Sequence, residues 1–354
     1  MSNDQFNGHL LCLARESRGR SQTWLASNAG VSQPFISQLE EGSKSPSSEV
    51  LQRLSRALDY PVEFFCRQWE RTGLGVGELH YRRRRSAGKT ALRQIEAAVN
   101  LRLLELSNLL RFFNAADDGP MFFPIDTDRS GGVEGAADRL RALWNVPAGP
   151  IASVTRLLER HGAIVMLMDF GTDKVDALGV WTGDLPPVFF VSHTSPADRR
   201  RMSLAHEVAH VVLHMRSGRM PDDLEAEANH FAGAFLMPAS DFRTQLKRSG
   251  KLTVDCAFRL KSHWNTSAAS IIFRAGELGC VTTSQQQRLW RSFSARGFRK
   301  EEPQVFAPER PLLLPQLLKE LSERNPDRIS DVFPLPASDF GRVYRTQQAG
   351  LRLT

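Results

Sequence analysis

The sequence predicts a mainly α-helical protein that also contains an α+β domain. Apolar residues recur at helical spacing in the first sixty positions and again from about residue 90 to 113. Two short apolar runs, 163–168 and 188–192, are instead typical of strands. We therefore expect an N-terminal five-helix domain (1–70), a basic linker with a long helix (71–135), an α+β domain (136–250) and a helical C-terminal region (251–354).

The first domain contains a sharp turn between two helical stretches. Gly30 supplies a left-handed backbone conformation there, and Ser32 caps the helix that follows. Pro34 is tolerated in the first turn of that helix, because its missing N–H would be unpaired anyway. The pattern resembles the helix-turn-helix of the Cro/repressor (XRE) type, and its inward-facing residues are Leu25, Ala26, Val31, Ile36, Leu39, Leu51, Leu54, Ala57 and Leu58.

That resemblance implies a double-stranded DNA operator as partner. An amide side chain can pair with adenine through two hydrogen bonds, so Gln33, Ser37 and Gln38 are expected to face the major groove. Gln22 would hold a phosphate, and Ser32 completes the expected DNA-binding set. The alternative is that all five are ordinary polar residues on the surface of a helical bundle.

Charge gives only weak support for DNA binding. Net charge is +7 over the whole chain, but residues 1–60 contain six Lys/Arg and six Asp/Glu, so binding would depend on homodimer formation or on flanking charge. Flanking charge is present in a basic run that either contacts the DNA backbone or a partner, or is a solvated linker. The run comprises Arg82, Arg83, Arg84 and Arg85, followed by Lys89 and Arg93.

A second motif, H-E-x-x-H, lies at residues 206–210. His206 and His210 are four residues apart, so on a helix both imidazoles can reach one tetrahedral metal ion. Glu207 stands beside them and can accept a proton from a metal-acidified water, which is the chemistry of amide hydrolysis. The alternative is an amphipathic helix that contains two unrelated histidines.

A catalytic zinc needs a third protein ligand, and Glu225 or Glu227 can supply it. We favour Glu225, because Asn229 follows it by one turn and can bond the back of a histidine ligand. Glu227 should then be a solvated surface acid. His214 lies too far from His206 along a straight helix to share the metal and should be a packed or surface histidine.

His230 lies next to the proposed ligand helix and is a further candidate, for stabilisation of an oxyanion.

The sequence resembles the ImmA/IrrE metallopeptidase family at three places: His206 to His210, the pair Glu225 and Asn229, and the run from Phe235 to Pro238. The resemblance extends to the two strand candidates and, downstream, to 260–278, where Trp264, Ser267, Ala268, Ile272 and Arg274 fit a small helical module.

The resemblance implies a gluzincin-like domain that holds one Zn²⁺ per chain. It places the zinc ligands at His206, His210 and Glu225, the general base at Glu207 and a supporting contact at Asn229. Family members cut a transcriptional repressor or are functionally linked to one. A DNA-binding zinc endopeptidase is therefore expected, with the strand 188–192 as an edge for an extended peptide. The alternative is a transcription factor or antitoxin-type repressor whose peptidase-like domain is a sensor.

The remaining features fit a cytoplasmic regulator. No apolar run is long enough to span a membrane, and no secretory signal opens the sequence. Four cysteines lack C-x-x-C spacing and are expected to be reduced. Beyond residue 280 the sequence shows helices at about 285–293 and 315–321, expected to cover the peptidase domain or to mediate self-association.

Overall fold

The computed structural model describes residues 6–67, 88–113, 122–182, 185–215, 223–303 and 306–348. Within these ranges the chain is mainly helical and has one three-stranded sheet, so the predicted fold class is confirmed. Contacts group the chain into a first unit (Met1–Asp118, Asp169–Val175 and Leu313–Thr354) and a second unit (Gly119–Met168 and Asp176–Leu312). This grouping divides the expected C-terminal region after residue 312.

Among the residues that the structure describes, no helix is both long enough and apolar enough to cross a bilayer.

Four α-helices and a short 3-10 segment form the N-terminal domain of the first unit. Gly30 ends the second helix with φ of 65°, and the Ser32 hydroxyl caps the third by accepting from Phe35 N–H. The expected fifth helix is only a 3-10 segment, since five residues separate Pro61 from the extended backbone at Arg67. The elements are α1 (Gly8–Ser17), α2 (Gln22–Ala29), α3 (Gln33–Glu40), α4 (Ser48–Leu58) and the 3-10 helix Val62–Cys66.

A long helix, α5 (Lys89–Phe112), packs against this domain. Its residues Ala97, Leu101 and Leu104 join the apolar core of the helix-turn-helix. The C-terminal helices complete the first unit, where Arg18 pairs with Asp339 at 2.6 Å. These are α14 (Leu313–Arg324), α15 (Ile329–Val332) and α16 (Ala337–Gln348), with a 3-10 turn at Pro326–Arg328.

A buried polar cluster joins α5 to α16. The Tyr344 hydroxyl donates to Glu105 Oε2, and Arg102 lies 2.7 Å from Glu105 Oε1. All three side chains are buried. Burial raises the pKa of Glu105 to about 7, although the Arg102 charge and the tyrosine bond oppose the rise.

Glu105→Gln should therefore change the pH dependence of stability. A carboxyl whose pKa rises from 4.5 to about 7 on folding holds its proton more tightly in the folded state. Its stabilising contribution is complete below 4.5 and is lost as the pH rises to about 7. Between those values the wild type should lose about 3 kcal/mol of unfolding free energy that the variant retains. Urea unfolding at several pH values measures the difference.

The control for this experiment is Glu323→Gln, a change at an exposed position of α14. It should leave the wild-type pH dependence unaltered. Parallel pH profiles for Glu105→Gln and the wild type would mean that Glu105 keeps its ordinary pKa in the folded protein.

The second unit begins with two helices and a small sheet. They are α6 (Gly132–Leu143), α7 (Val154–Arg160), β1 (Ile164–Met168), β2 (Ala177–Val180) and β3 (Val188–Ser192). The strand order is β1-β3-β2, with β3 parallel to β1 and antiparallel to β2. The expectation that 188–192 is an edge strand is therefore wrong, because β3 lies between β1 and β2. The strand β2 was not predicted from the sequence. All five residues of β3 are buried, as befits a central strand.

Two further helices carry the H-E-x-x-H motif and the glutamates that follow it. The first is α8 (Ala197–Ala209), which continues as a π-helical turn over His210–His214. The second is α9 (Leu224–Leu236), and its apolar face, including Ala228, Phe231 and Phe235, lies in the same core as Leu204 and Val208 of α8. Packing of these apolar faces fixes the relative position of the two helices.

Four helices complete the second unit: α10 (Ala239–Ser249), α11 (Val254–Trp264), α12 (Ala268–Glu277) and α13 (Thr283–Ala295). Buried cations anchor them. Lys261, 1% exposed, bonds Asp198 and Glu302, while the fully buried Arg274 bonds the Met237 carbonyl and Glu134. The Glu302 carboxylate also accepts from the first backbone N–H groups of α12, so an acid far along the chain caps that helix.

Candidate functional site

Three donor atoms from α8, the π turn and α9 meet in the second unit. His206 Nε2 lies 3.1 Å from His210 Nε2, and Glu225 reaches them with Oε2 at 3.4 Å and Oε1 at 3.6 Å, respectively. Ligand atoms about 2.0–2.1 Å from one tetrahedral metal would lie roughly 3.3 Å apart. The spacing therefore suits a single small metal ion.

The surroundings of Glu225 support the same reading. Its Oε1 atom is buried and lies 3.6 Å from His210 Nε2, beyond hydrogen-bond distance, so a bound cation would compensate its charge. Burial would raise the pKa of this carboxyl, but the close contacts and charges of His206 and His210 outweigh burial and lower it to about 2. Glu225 is thus an anion at neutral pH, as a metal ligand must be.

Each histidine is held from behind through its other ring nitrogen. His206 Nδ1 lies 3.0 Å from Asn229 Oδ1, the contact expected from the one-turn spacing after Glu225. His210 Nδ1 lies 2.8 Å from His214 Nδ1, and His214 Nε2 lies 3.1 Å from Glu227 Oε2. With Nε2 of both histidines facing the cluster, Nδ1–H of His206 donates to Asn229 Oδ1.

The same tautomer of His210 determines which atom donates in the two hydrogen bonds that link His210, His214 and Glu227. His210 Nδ1–H donates to His214 Nδ1, and His214 Nε2–H then donates to the Glu227 carboxylate. The expectation that Glu227 is a solvated surface acid is wrong, because its side chain is only 9% exposed and is bonded to His214. His214 is a packed histidine four residues after His210, in the π turn where Met215 N–H bonds the His210 carbonyl.

Glu207 is held by the neighbouring strand. Its Oε2 accepts the Gly179 N–H of β2 at 2.7 Å, and the residue is 6% exposed. A Cβ atom at position 179 would lie 3.2 Å from Glu207 Cβ and 3.3 Å from a Phe189 ring carbon, so glycine permits the close approach of β2 to α8. A glycine within an apolar stretch is the sequence signal that could have found this contact.

His230 is engaged elsewhere. Its Nε2 lies 2.8 Å from Glu134 Oε1, and the same carboxylate accepts bonds from the buried Arg274. Burial raises the pKa of Glu134, but these bonds outweigh it and lower the pKa to about 2. The structure thus brings His230 together with Glu134 and Arg274, and its oxyanion role stays a prediction.

The expected DNA-reading residues form a small network on α2 and α3 of the first unit. The Gln33 amide donates to Gln22 Oε1 at 2.8 Å, and the Gln22 amide donates to Glu40 Oε2 at 2.8 Å. Arg15 holds that buried Glu40 carboxylate with two bonds of 2.6 and 2.9 Å. Gln22 therefore supports Gln33 in this structure, while its contact with phosphate stays a prediction.

The other expected DNA contacts are placed as follows. Ser37 donates to Glu41 at 2.8 Å, Ser32 is exposed at the start of α3, and Gln38 is half-buried with its carbonyl accepting from Ser43. The arginine run from Arg82 to Arg85 lies outside the described residues.

Comparisons with known proteins identify a helix-turn-helix domain and a peptidase-like domain in this chain. Residues 13–65 match the helix-turn-helix family model, and residues 158–275 match the model of the M78 peptidases, described as the IrrE N-terminal-like domain. The chain thus carries an XRE-type helix-turn-helix domain and an IrrE-like M78 peptidase domain, which confirms the resemblance to the ImmA/IrrE family.

Curated relatives are similar over a short stretch only. Two uncharacterized HTH-type transcriptional regulators of Mycobacterium tuberculosis, from strains CDC 1551 and H37Rv, are each 38% identical over 56 residues. The match covers 16% of this chain and 40% of each relative. The chain therefore spans about two fifths of the length of these relatives.

Metal binding should depend on Glu225 far more than on Glu227. Purified protein should hold about one zinc per chain, and Glu225→Gln should abolish most of this binding because it removes a charged ligand. Glu227→Gln should weaken binding about 10- to 100-fold, since it disturbs only the bonds behind His210. Competition with a chromophoric chelator measures both affinities. Equal losses in the two variants would remove Glu225 from the ligand set.

DNA contacts should separate into two kinds. Gln33→Ala and Gln38→Ala should relax sequence preference by about 1–3 kcal/mol per lost base contact. Neutralising Arg82 to Arg85 should instead weaken binding to all sequences and flatten its salt dependence. Titrations of operator and unrelated DNA at several salt concentrations distinguish these effects. An unchanged salt slope in the arginine variant would identify the run as a linker.

Proposed function

We propose that this protein is a DNA-binding transcriptional regulator with zinc-dependent endopeptidase activity, which cleaves a repressor protein or itself to control gene expression. The observation that carries the proposal is the convergence of His206, His210 and Glu225 beside Glu207. The match of residues 158–275 to the M78 peptidases supports the same conclusion.

His206, His210 and Glu225 would hold the zinc, with Asn229 and the pair His214 and Glu227 orienting the two imidazoles. When bound, the zinc supplies an acidified water near neutral pH and polarises the scissile carbonyl. Glu207 is the general base: it accepts the proton of that water and passes it to the leaving amine. The Gly179 N–H fixes one oxygen of Glu207, so the other oxygen carries the proton.

The edge strand β2 is the best-placed docking site for an extended substrate. Among the described strands it pairs on one side only, with β3, and Gly179 in it contacts Glu207. A peptide that added to β2 would gain backbone hydrogen bonds while its scissile bond lay near the general base. Recognition through the backbone suits an unfolded segment or linker of a protein substrate.

The helix-turn-helix domain supports double-stranded DNA as the second partner. The Arg15–Glu40–Gln22–Gln33 network keeps an amide in an ordered position at the start of α3, where repressors of this type read base edges. Because residues 1–60 carry balanced charge, we expect a homodimer to supply the affinity that one domain lacks.

A second function fits the same molecule: a transcription factor or antitoxin-type repressor whose peptidase-like domain senses a metal, a ligand or a protein without cutting. The helix-turn-helix domain favours it, because a protease acting in trans has no need to bind DNA. The curated relatives carry the name of transcriptional regulators as well. Glu207 favours the peptidase, since a sensor has no need for a general base.

Glu207→Gln separates the two functions. The variant should keep its zinc, its fold and its operator binding, because Glu207 is not a ligand and glutamine has nearly the same shape. Loss of the general base should reduce cleavage about 10²- to 10⁴-fold. In cells, the target repressor or the chain itself should remain full length and repression should persist. Immunoblots and a reporter gene record these results.

The matched control is Glu225→Gln, which should lose both zinc and cleavage. A sensor would respond to its signal almost normally with Glu207→Gln and would fail only with Glu225→Gln. Normal induction by a zinc-loaded Glu207→Gln protein would therefore overturn the peptidase and leave the sensor.

A further inference from the structure

A cavity of about 740 Å³ lies in the second unit, between α10, the start of α11 and the length of α13. Its lining contains none of the metal-cluster residues His206, His210 and Glu225, and it includes none of the expected DNA contacts. Its volume falls within the range of small-molecule sites, roughly 300–1,000 Å³. Sequence reasoning assigned no chemistry to this part of the chain.

The floor of the cavity is apolar. Leu246, Leu252, Val254 and Leu289 line it, and all four also belong to the apolar core of the second unit. They are only 3–9% exposed, so most of the apolar surface that a ligand could cover belongs to the half-buried Leu278, Cys280 and Val281, which also line the cavity. A ligand that covered them would remove apolar surface from water, which favours binding by a hydrocarbon or aromatic body.

The rim carries charge of one sign. Five exposed cations line the cavity, against a single carboxylate, Asp255, which is already paired with one of them, Arg296, at 2.8 Å. A concave surface with charge of one sign concentrates counter-ions, so the cavity attracts anions. The other four cations are Arg243, Lys247, Lys251 and Arg288.

We propose that this cavity binds an organic anion with an apolar body. A carboxylate or phosphate headgroup would meet the cationic rim while the apolar body covers Leu246, Leu252, Val254 and Leu289. The apolar floor favours this class over a nucleic-acid backbone, which offers phosphates but no hydrocarbon to bury. Binding requires neither the metal nor DNA, so it can be tested separately from the peptidase and the operator.

The first experiment compares probes that differ in one property at a time. Isothermal titration of the full-length protein would use decanoate, decyl phosphate, decyltrimethylammonium and inorganic phosphate. The two decyl anions should bind, and each methylene removed from decanoate should weaken binding about three- to fourfold. The cation of equal chain length and inorganic phosphate alone should bind far more weakly.

The second experiment changes the rim. Lys247→Gln combined with Lys251→Gln should weaken decanoate binding about 2- to 30-fold, as two exposed charges allow. The matched control combines Arg248→Gln with Arg259→Gln, which removes two exposed cations from α10 and α11 that do not line the cavity. This control should leave the affinity within about twofold of the wild type.

A thiol reports where the ligand sits. Cys280 lines the cavity and is half-buried, whereas Cys12 and Cys66 lie in the first unit. Decanoate should slow alkylation of Cys280 and leave Cys12 and Cys66 unchanged when modification is followed by mass spectrometry. Removal of zinc with a chelator should not alter this protection.

Four results would overturn the proposal. Equal binding of decanoate and decyltrimethylammonium would show general adhesion of hydrocarbon chains. Inorganic phosphate binding as tightly as decyl phosphate would identify a simple anion or DNA-backbone site. Equal loss of affinity in the rim and control variants, or decanoate binding without protection of Cys280, would place the ligand outside this cavity.

Discussion

The arrangement of the second unit depends on the contact between α8 and α9. His206 and His210 come from one helix and its π extension, Glu225 comes from the other, and their ligand atoms approach within 3.1–3.6 Å. Two histidines on one helix cannot complete a metal site, so the apolar packing of α9 against α8 is what adds a third candidate ligand to the motif. Bonds from Asn229 and His214 then hold the rings in the tautomer that presents Nε2.

Buried ion pairs hold the rest of that unit around this helix pair. Arg274 ties α12 to Glu134 of α6 and to the end of α9, while Lys261 joins Asp198 at the start of α8 to Glu302. A buried pair gains little net stability over apolar packing, but breaking it is costly, so such pairs favour one arrangement over alternatives. In the first unit the Glu105 cluster and the pair of Arg18 with Asp339 have the same effect for α16.

The proposed DNA site and the proposed metal site share one feature: in each, the expected contact residue is oriented by a residue behind it. Gln33 is held by Gln22, which is held by Glu40, which in turn is bonded to Arg15. His210 is held by His214, which is bonded to Glu227. Each chain includes a largely buried carboxylate, Glu40 in the first and Glu227 in the second, where a hydrogen bond to a charge is stronger than in water.

Sequence by itself determined the features that depend on local spacing. Gly30 and Ser32 mark the turn and cap of the helix-turn-helix, and the four-residue spacing of His206 and His210 puts both on one helix face. The one-turn spacing from Glu225 to Asn229 also indicated that an amide could reach a histidine. Helix periodicity and capping involve neighbouring residues, so they can be predicted from a single chain.

Tertiary structure alone decided the features that depend on which segments meet. The four-residue spacing places His214 beside His210, but only the packing of α9 against the π turn brings Glu227 to His214 Nε2 and completes this chain of bonds. The central place of β3, the contact of Gly179 with Glu207 and the grouping of residues 313–348 with the first unit likewise join positions far apart in sequence. Such contacts are selected by the packing free energy of the whole unit, which no local pattern of residues encodes.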